Sequence, residues 1–149
     1  LSQTPRPSGW TVFHGAYGRG KSGLLKSLVA AFIRAGVGAR YLLASDILGD
    51  IRSTYEAGQG TENQVSSELD GWQFLAVDEV DRIGSSDWSQ STLMAVLDRR
   101  YNRRLTHATA LATNQHPETM PAEWGYLASR MKDGERVPVG GVDLRGLTI

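Results

Sequence analysis

A chain of 149 residues, 40% of them hydrophobic, can bury one core and is short for two. Lys plus Arg (16) equal Asp plus Glu (16), which excludes a global basic field for nucleic acid but leaves room for a local stripe. There is no cysteine, so disulfides and cysteine-ligated metals are excluded.

No apolar run approaches the ~20 residues of a bilayer-crossing helix, and no signal-like segment opens the chain. A cytoplasmic protein with no membrane partner is expected. Because the sequence opens on Leu1 and stops at Ile149, it reads as a piece of a longer protein.

In chain order, Gly9 to Gly15 is a short β-rich run ending in glycine. Next comes "KSGLLKSLVAAFIRAG", with Leu24, Leu25, Leu28, Val29 and Phe32 at helical spacing and a stop at Gly36. Ala39 to Ala44 reads as a buried strand, and Ser45 or Asp46 can cap a helix that ends at Gly58. A short helical piece, Glu62 to Gly71, precedes "WQFLAVDE" (Trp72 to Glu79), whose continuous apolar run suits a central parallel strand. Asp87 or Ser89 can start the next helix, which runs to Arg104. Ala108 to Asn114 is a fourth strand, Pro117 to Gly134 a broken helix, and Glu135 to Gly141 a short last strand. Strands alternating with helices predict an α/β fold, a five-stranded parallel sheet with helices on both faces.

The chemistry starts at "GAYGRGKS", Gly15 to Ser22, which fits G-x-x-x-x-G-K-[ST] in full. Gly15, Gly18 and Gly20 allow the backbone to aim successive N–H groups inward, and the following helix offers its positive end to the same anion. Lys21 supplies a point charge for the β and γ phosphates of ATP or GTP, and the Ser22 hydroxyl can ligate Mg2+. Arg19 and Gly23 complete the candidate cofactor-binding set, Arg19 adding a positive charge with no further physical account.

A carboxylate on a neighbouring strand is the second requirement. Asp78 stands at the carboxyl edge of an apolar strand, where open α/β sheets bind ligands, and would hold the Mg2+, partly through water. Glu79, turned the other way along the strand, can polarise a water for attack on the γ-phosphate. Asp81 lies beyond the strand and is expected at the surface.

Asn114, at the tip of the fourth strand, can orient that water without adding negative charge, or be an ordinary turn residue. Arg130 offers either a planar fork for a γ-phosphate, even in a neighbouring subunit, or a structural salt bridge. Arg99, Arg100, Arg103 and Arg104 could track a nucleic-acid backbone, or simply be cations at a helix C-terminus exposed to water. His14, His107 and His116 lack metal-ligand spacing and are expected to be structural.

Together "GAYGRGKS", "FLAVDE", "LATN" and "SRM", in this order, resemble the Walker A, Walker B, sensor 1 and arginine-finger motifs of an AAA+ ATPase core. The helix inserted after the second strand, with "LDRRYNRR" before "ATALATN", resembles the DnaC/DnaI helicase loaders and their relative IstB, the transposition helper. The likeness runs from about Gly9 to Gly146. It implies a three-layer α/β/α P-loop fold with a reduced or absent lid. It also implies ATP/ADP and Mg2+ as cofactors, Asn114 as sensor, and Arg130 reaching into the next subunit's site of a spiral oligomer. Loaders of this kind engage single-stranded DNA and place a hexameric replicative helicase on it through a further N-terminal domain. Residues 1–149 would then be the AAA+ domain alone.

By the same resemblance Arg52 and Tyr55, on the helix after the second strand, are candidate DNA contacts. The loop departs from the family habit in carrying Arg19 and Ser22 where Thr is common, and Arg145 is the one late candidate for a second sensor. A small-molecule P-loop kinase would want an Arg-rich lid and substrate pocket that the chain does not clearly offer. A purely structural nucleotide-binding subunit would keep Lys21 and Asp78 without needing Glu79.

Overall fold

The computed structural model describes residues 4–16, 18, 20–56, 62–84, 86–120 and 125–140. Arg19, Arg145, and the predicted ends at Gly58 and Gly141 lie outside the described residues.

Five strands form one sheet: β1 (Gly9–His14), β2 (Ala39–Leu43), β3 (Phe74–Asp78), β4 (Ala108–Thr113) and β5 (Glu135–Pro138). All pair in parallel, in the order β2-β3-β4-β1-β5. The predicted five-stranded parallel sheet is therefore present. β3 and β4 are buried at every position, because side chains on both faces of an inner parallel strand meet helices.

Strand alternation sorts the core into two layers. On one face Phe13, Phe74, Ala76, Ala108, Ala110 and Ala112 pack with Leu25 and Val29 of helix α1 (Lys21–Arg34). The small alanines leave room for aromatic rings, and Phe32 meets Phe74 at a centroid distance of 4.7 Å. On the other face Val12, Leu75, Val77 and Leu111 pack against α2 (Ala44–Glu56), α3 (Glu62–Asp70) and α4 (Asp87–Asn102). A last helix, α5 (Gly125–Asp133), precedes β5, and the Trp10 indole N–H donates to the Arg130 carbonyl at 2.9 Å, tying α5 to β1.

Two helix starts differ from expectation. α2 begins at Ala44, directly after β2, because Ala44, Ile47, Leu48 and Ile51 form one continuous buried stripe at spacings of three and four. The Asp46 carboxylate accepts the Leu43 N–H at 3.3 Å and steadies that entry. α4 is capped by Ser86, whose hydroxyl accepts the Ser89 N–H at 3.1 Å, not by Asp87 or Ser89. The predicted broken helix resolves into a 3-10 turn, Pro117–Thr119, and α5.

Candidate functional site

The carboxyl ends of β1, β3 and β4 bring the glycine-rich loop, Asp78 and Asn114 to one edge of the sheet. The loop leaves β1 at Gly15, where no side chain fits: a Cβ there would stand 2.0 Å from the Val139 carbonyl oxygen. Gly18 and Gly20 take φ of 81° and 90°, in the left-handed region that glycine reaches without strain. Gly20 is the N-cap of α1, and no side chain caps that helix. No acid stands in its first turn either, so the leading N–H groups keep their positive potential for an anion. Gly23, inside the first turn, has open space around its Cβ position.

Lys21 is only 6% exposed. Its ammonium donates to the Gly15 and Ala16 carbonyls at 2.7 and 2.9 Å, which holds the charge on the inner side of the loop.

Parity along β3 places Asp78 on the same face as Phe74 and Ala76, the face covered by α1. Asp78 is 1% exposed, and its carboxylate accepts three hydrogen bonds. Oδ2 accepts the Ser22 hydroxyl and the Tyr41 hydroxyl, each at 2.5 Å, and Oδ1 accepts the Glu79 N–H at 2.9 Å. Burial, then the hydrogen bond to Asp78 and its charge, push the Tyr41 phenol well above its ordinary pKa, with Ser22 opposing. Tyr41 therefore stays a donor at neutral pH. Ser22 and Asp78 are hard oxygen donors in contact, which suits Mg2+, an ion usually held by one or two protein oxygens together with phosphates and water. Among the described residues no group of three or more His, Cys, Asp or Glu could hold a metal by itself.

Glu79 lies just past the strand, so its direction is not set by strand alternation as expected. It has φ of 53°, the one positive value among described non-glycine residues, a conformation retained where surrounding structure enforces it. Its carbonyl accepts the Arg82 N–H at 3.0 Å, closing a turn, and its carboxylate is 3.8 Å from the Arg82 guanidinium. Asp81 is not a surface bystander: it is partly buried and accepts the Asn114 N–H at 3.2 Å. That bond fastens the tip of β4 to the turn after β3.

The arginines separate. Arg100 is corrected: it is 1% exposed and cannot contact DNA. Its guanidinium donates to Thr109 Oγ1 (2.9 Å) and to the carbonyls of Leu69 (3.2 Å), Trp72 (2.7 Å) and Ala108 (2.6 Å). Burial, then Arg103, lower its pKa to about 10, with Asp70 opposing. Arg99 donates to Asp70 Oδ2 at 2.5 Å, and Arg52 stacks over the Trp88 ring, 4.9 Å from its centroid. Tyr55 lies in α2, its side chain outside the description. Arg130 bridges α5 and α4, with Nε 2.6 Å from Asp98 Oδ1 and its guanidinium over the Tyr101 ring. The salt-bridge alternative is thus realised within the chain.

Tyr41 and Asp81 were not recognised from sequence. A phenol inside a buried strand needs a hydrogen-bond partner, and that was the available signal for Tyr41.

A glycine-rich loop entering an uncapped helix, a buried strand-end aspartate and a parallel sheet in the order β2-β3-β4-β1-β5 define an α/β domain of the P-loop type. No family model matches the chain. The replicative helicase loader DnaC of Escherichia coli (strain K12) is 23% identical over 126 residues, 85% of this chain and 49% of that protein. A crystal structure of the DnaC helicase loader superposes with a TM-score of 0.72 at 18% identity, covering 93% of this chain and 82% of that one. A replication initiator DnaA bound to AMPPCP and single-stranded DNA gives 0.77 at 21% identity, over 90% and 41%. The chain shares the fold of these structures and is similar in sequence to DnaC. It spans about half the length of the curated relatives it matches.

Proposed function

We propose that this domain binds and hydrolyses ATP as the motor module of a replicative helicase loader acting on single-stranded DNA. The observation that supports it best is the convergence of Lys21, Ser22, Asp78 and Glu79 at one sheet edge, in a chain similar to a helicase loader. The loop N–H groups and Lys21 would grip the phosphates. Ser22 and Asp78 would hold Mg2+, which when bound neutralises charge on the β and γ phosphates. Glu79 would take a proton from the attacking water as the bond from the γ-phosphorus to the bridging oxygen breaks, releasing ADP and phosphate. Asn114, held by Asp81, would orient that water.

DNA and helicase enter through the relatives. The similar DnaA was solved with single-stranded DNA, and the name of the similar DnaC is a replicative helicase loader. Arg52, Tyr55 and Arg99 remain the candidate DNA contacts, and ATP-driven assembly into a spiral would require Arg130 to leave Asp98 for a neighbouring site.

ATP turnover with and without single-stranded DNA, in the native chain and in Glu79→Gln, tests the proposal. Glu79→Gln is expected to keep ATP binding and lose turnover by about 10²–10⁴-fold, the usual contribution of a general base. Turnover unaffected by Glu79→Gln would remove Glu79 as the general base, and no turnover in the native chain would remove hydrolysis from the proposal.

A further inference from the structure

We propose that Tyr41 is a positioning residue for the metal end of this site, its hydroxyl holding the Asp78 carboxylate in the orientation that serves Mg2+. The inference rests on the reading that the loop binds ATP with Mg2+.

Tyr41 lies on β2 beside β3, where Leu43 is the register partner of Asp78 and Tyr41 that of Ala76. Tyr41 shares the α1 face with Asp78, and its ring packs on the same layer as Phe74 and Ala76. Lys26 of α1 lies over the ring, 5.2 Å from its centroid. The hydroxyl therefore arrives from a strand and a ring that are both fixed by packing. It meets the same oxygen, Asp78 Oδ2, that accepts the Ser22 hydroxyl.

A carboxylate has about four lone-pair sites. Tyr41, Ser22 and the Glu79 N–H occupy three. When Ser22 turns its oxygen to a cation, its proton leaves Oδ2 and a lone pair becomes available there. Two anchors remain, Tyr41 on Oδ2 and the Glu79 N–H on Oδ1, and together they prevent rotation of the carboxylate. The Glu79 anchor is a backbone N–H on a turn with positive φ, whereas Tyr41 is a side-chain anchor outside the metal-binding pair. Partners that orient a metal-binding side chain in this way are typically worth 10–100-fold in metal affinity or activity.

The test is Tyr41→Phe, which deletes the hydroxyl and keeps the ring under Lys26. A fluorescent ATP analogue is titrated onto the native chain and the variant, first in EDTA and then across a range of Mg2+ concentrations. The expected result is an unchanged affinity in EDTA, with the Mg2+ concentration needed for half of the metal-dependent tightening raised by about 10-fold. An identical Mg2+ dependence in the two proteins overturns the proposal, because the hydroxyl then does nothing for the metal. Equal losses in EDTA and in Mg2+ also overturn it, since Tyr41 would then support the loop or the fold alone. If the native chain binds no nucleotide in either condition, the underlying ATP reading falls and takes the inference with it. Native binding with an unaffected variant removes only the role of Tyr41.

Discussion

Two buried cations sit at opposite edges of the same sheet. Lys21 stands where β1 ends, and Arg100 spans the beginnings of β3 and β4. Both donate to backbone carbonyls, and both are nearly inaccessible. What differs is where the acceptors lie. Arg100 reaches Leu69, Trp72, Ala108 and Thr109, residues at helix and strand ends whose positions the core fixes. Lys21 reaches Gly15 and Ala16, part of a loop with glycines at positive φ. A guanidinium with several fixed acceptors seals an edge; an ammonium over a loop can exchange carbonyls for phosphate oxygens. Burial and charge are therefore poor guides to function until the acceptors are known.

The sharpest way to break this contrast is to remove Arg100. Arg100→Ala removes four hydrogen bonds at once and leaves a cavity, and is expected to cost about 4 kcal/mol in chemical denaturation. A loss below about 1 kcal/mol would mean that the edge is not sealed by this side chain.

Lys21→Ala should show the opposite profile. Stability stays within about 1 kcal/mol, while affinity for ATP falls by about 100-fold in equilibrium titration, the worth of a charge-assisted contact to phosphate. Equal destabilisation by both substitutions would erase the distinction between a structural and a ligand-directed cation.

The smallest effect concerns one histidine at each edge. Burial, then His116 and Arg136, lower the pKa of His14 from 6.5. Burial, then Arg100 and Arg103, lower that of His107, with Asp70 opposing. In both cases the unfolded chain binds protons more readily than the folded one. The stability contribution is complete above pH 6.5 and is lost as pH falls through the lower folded values. Melting temperatures measured between pH 8 and 5 should fall in that direction, and His14→Gln with His107→Gln should flatten the slope. An unchanged slope in the double variant would assign the acid sensitivity elsewhere.

Much of the fold was legible because its signals are local. The apolar run "FLAV" ends in Asp78, and an inner parallel strand must be apolar on both faces until it reaches the ligand edge. Arg100 was misread as exposed, although it continues the buried stripe Leu93, Val96 and Leu97 at spacings of three and four. Four arginines in six residues (99–104) obscured that phase, because a charged side chain is ordinarily assigned to solvent. Ser86 was passed over as a cap for Asp87 and Ser89, since neighbouring polar residues offer equal caps until the helix axis is set.

The sequence by itself determined the glycine-rich loop, since its glycines, Lys21 and Ser22 all fall within the eight residues 15–22. It also determined the parallel sheet, through the alternation of apolar runs and helical stripes. The tertiary structure alone decided which hydroxyls hold Asp78, since Ser22 is 56 positions away and Tyr41 is 37. It also decided that Arg100 would find acceptors inside the chain, and that Asp81 would reach Asn114 across 33 positions. Hydrogen bonds between distant residues depend on strand order and register, which propensity and periodicity leave open; β2 beside β3 and β3 beside β4 set those contacts.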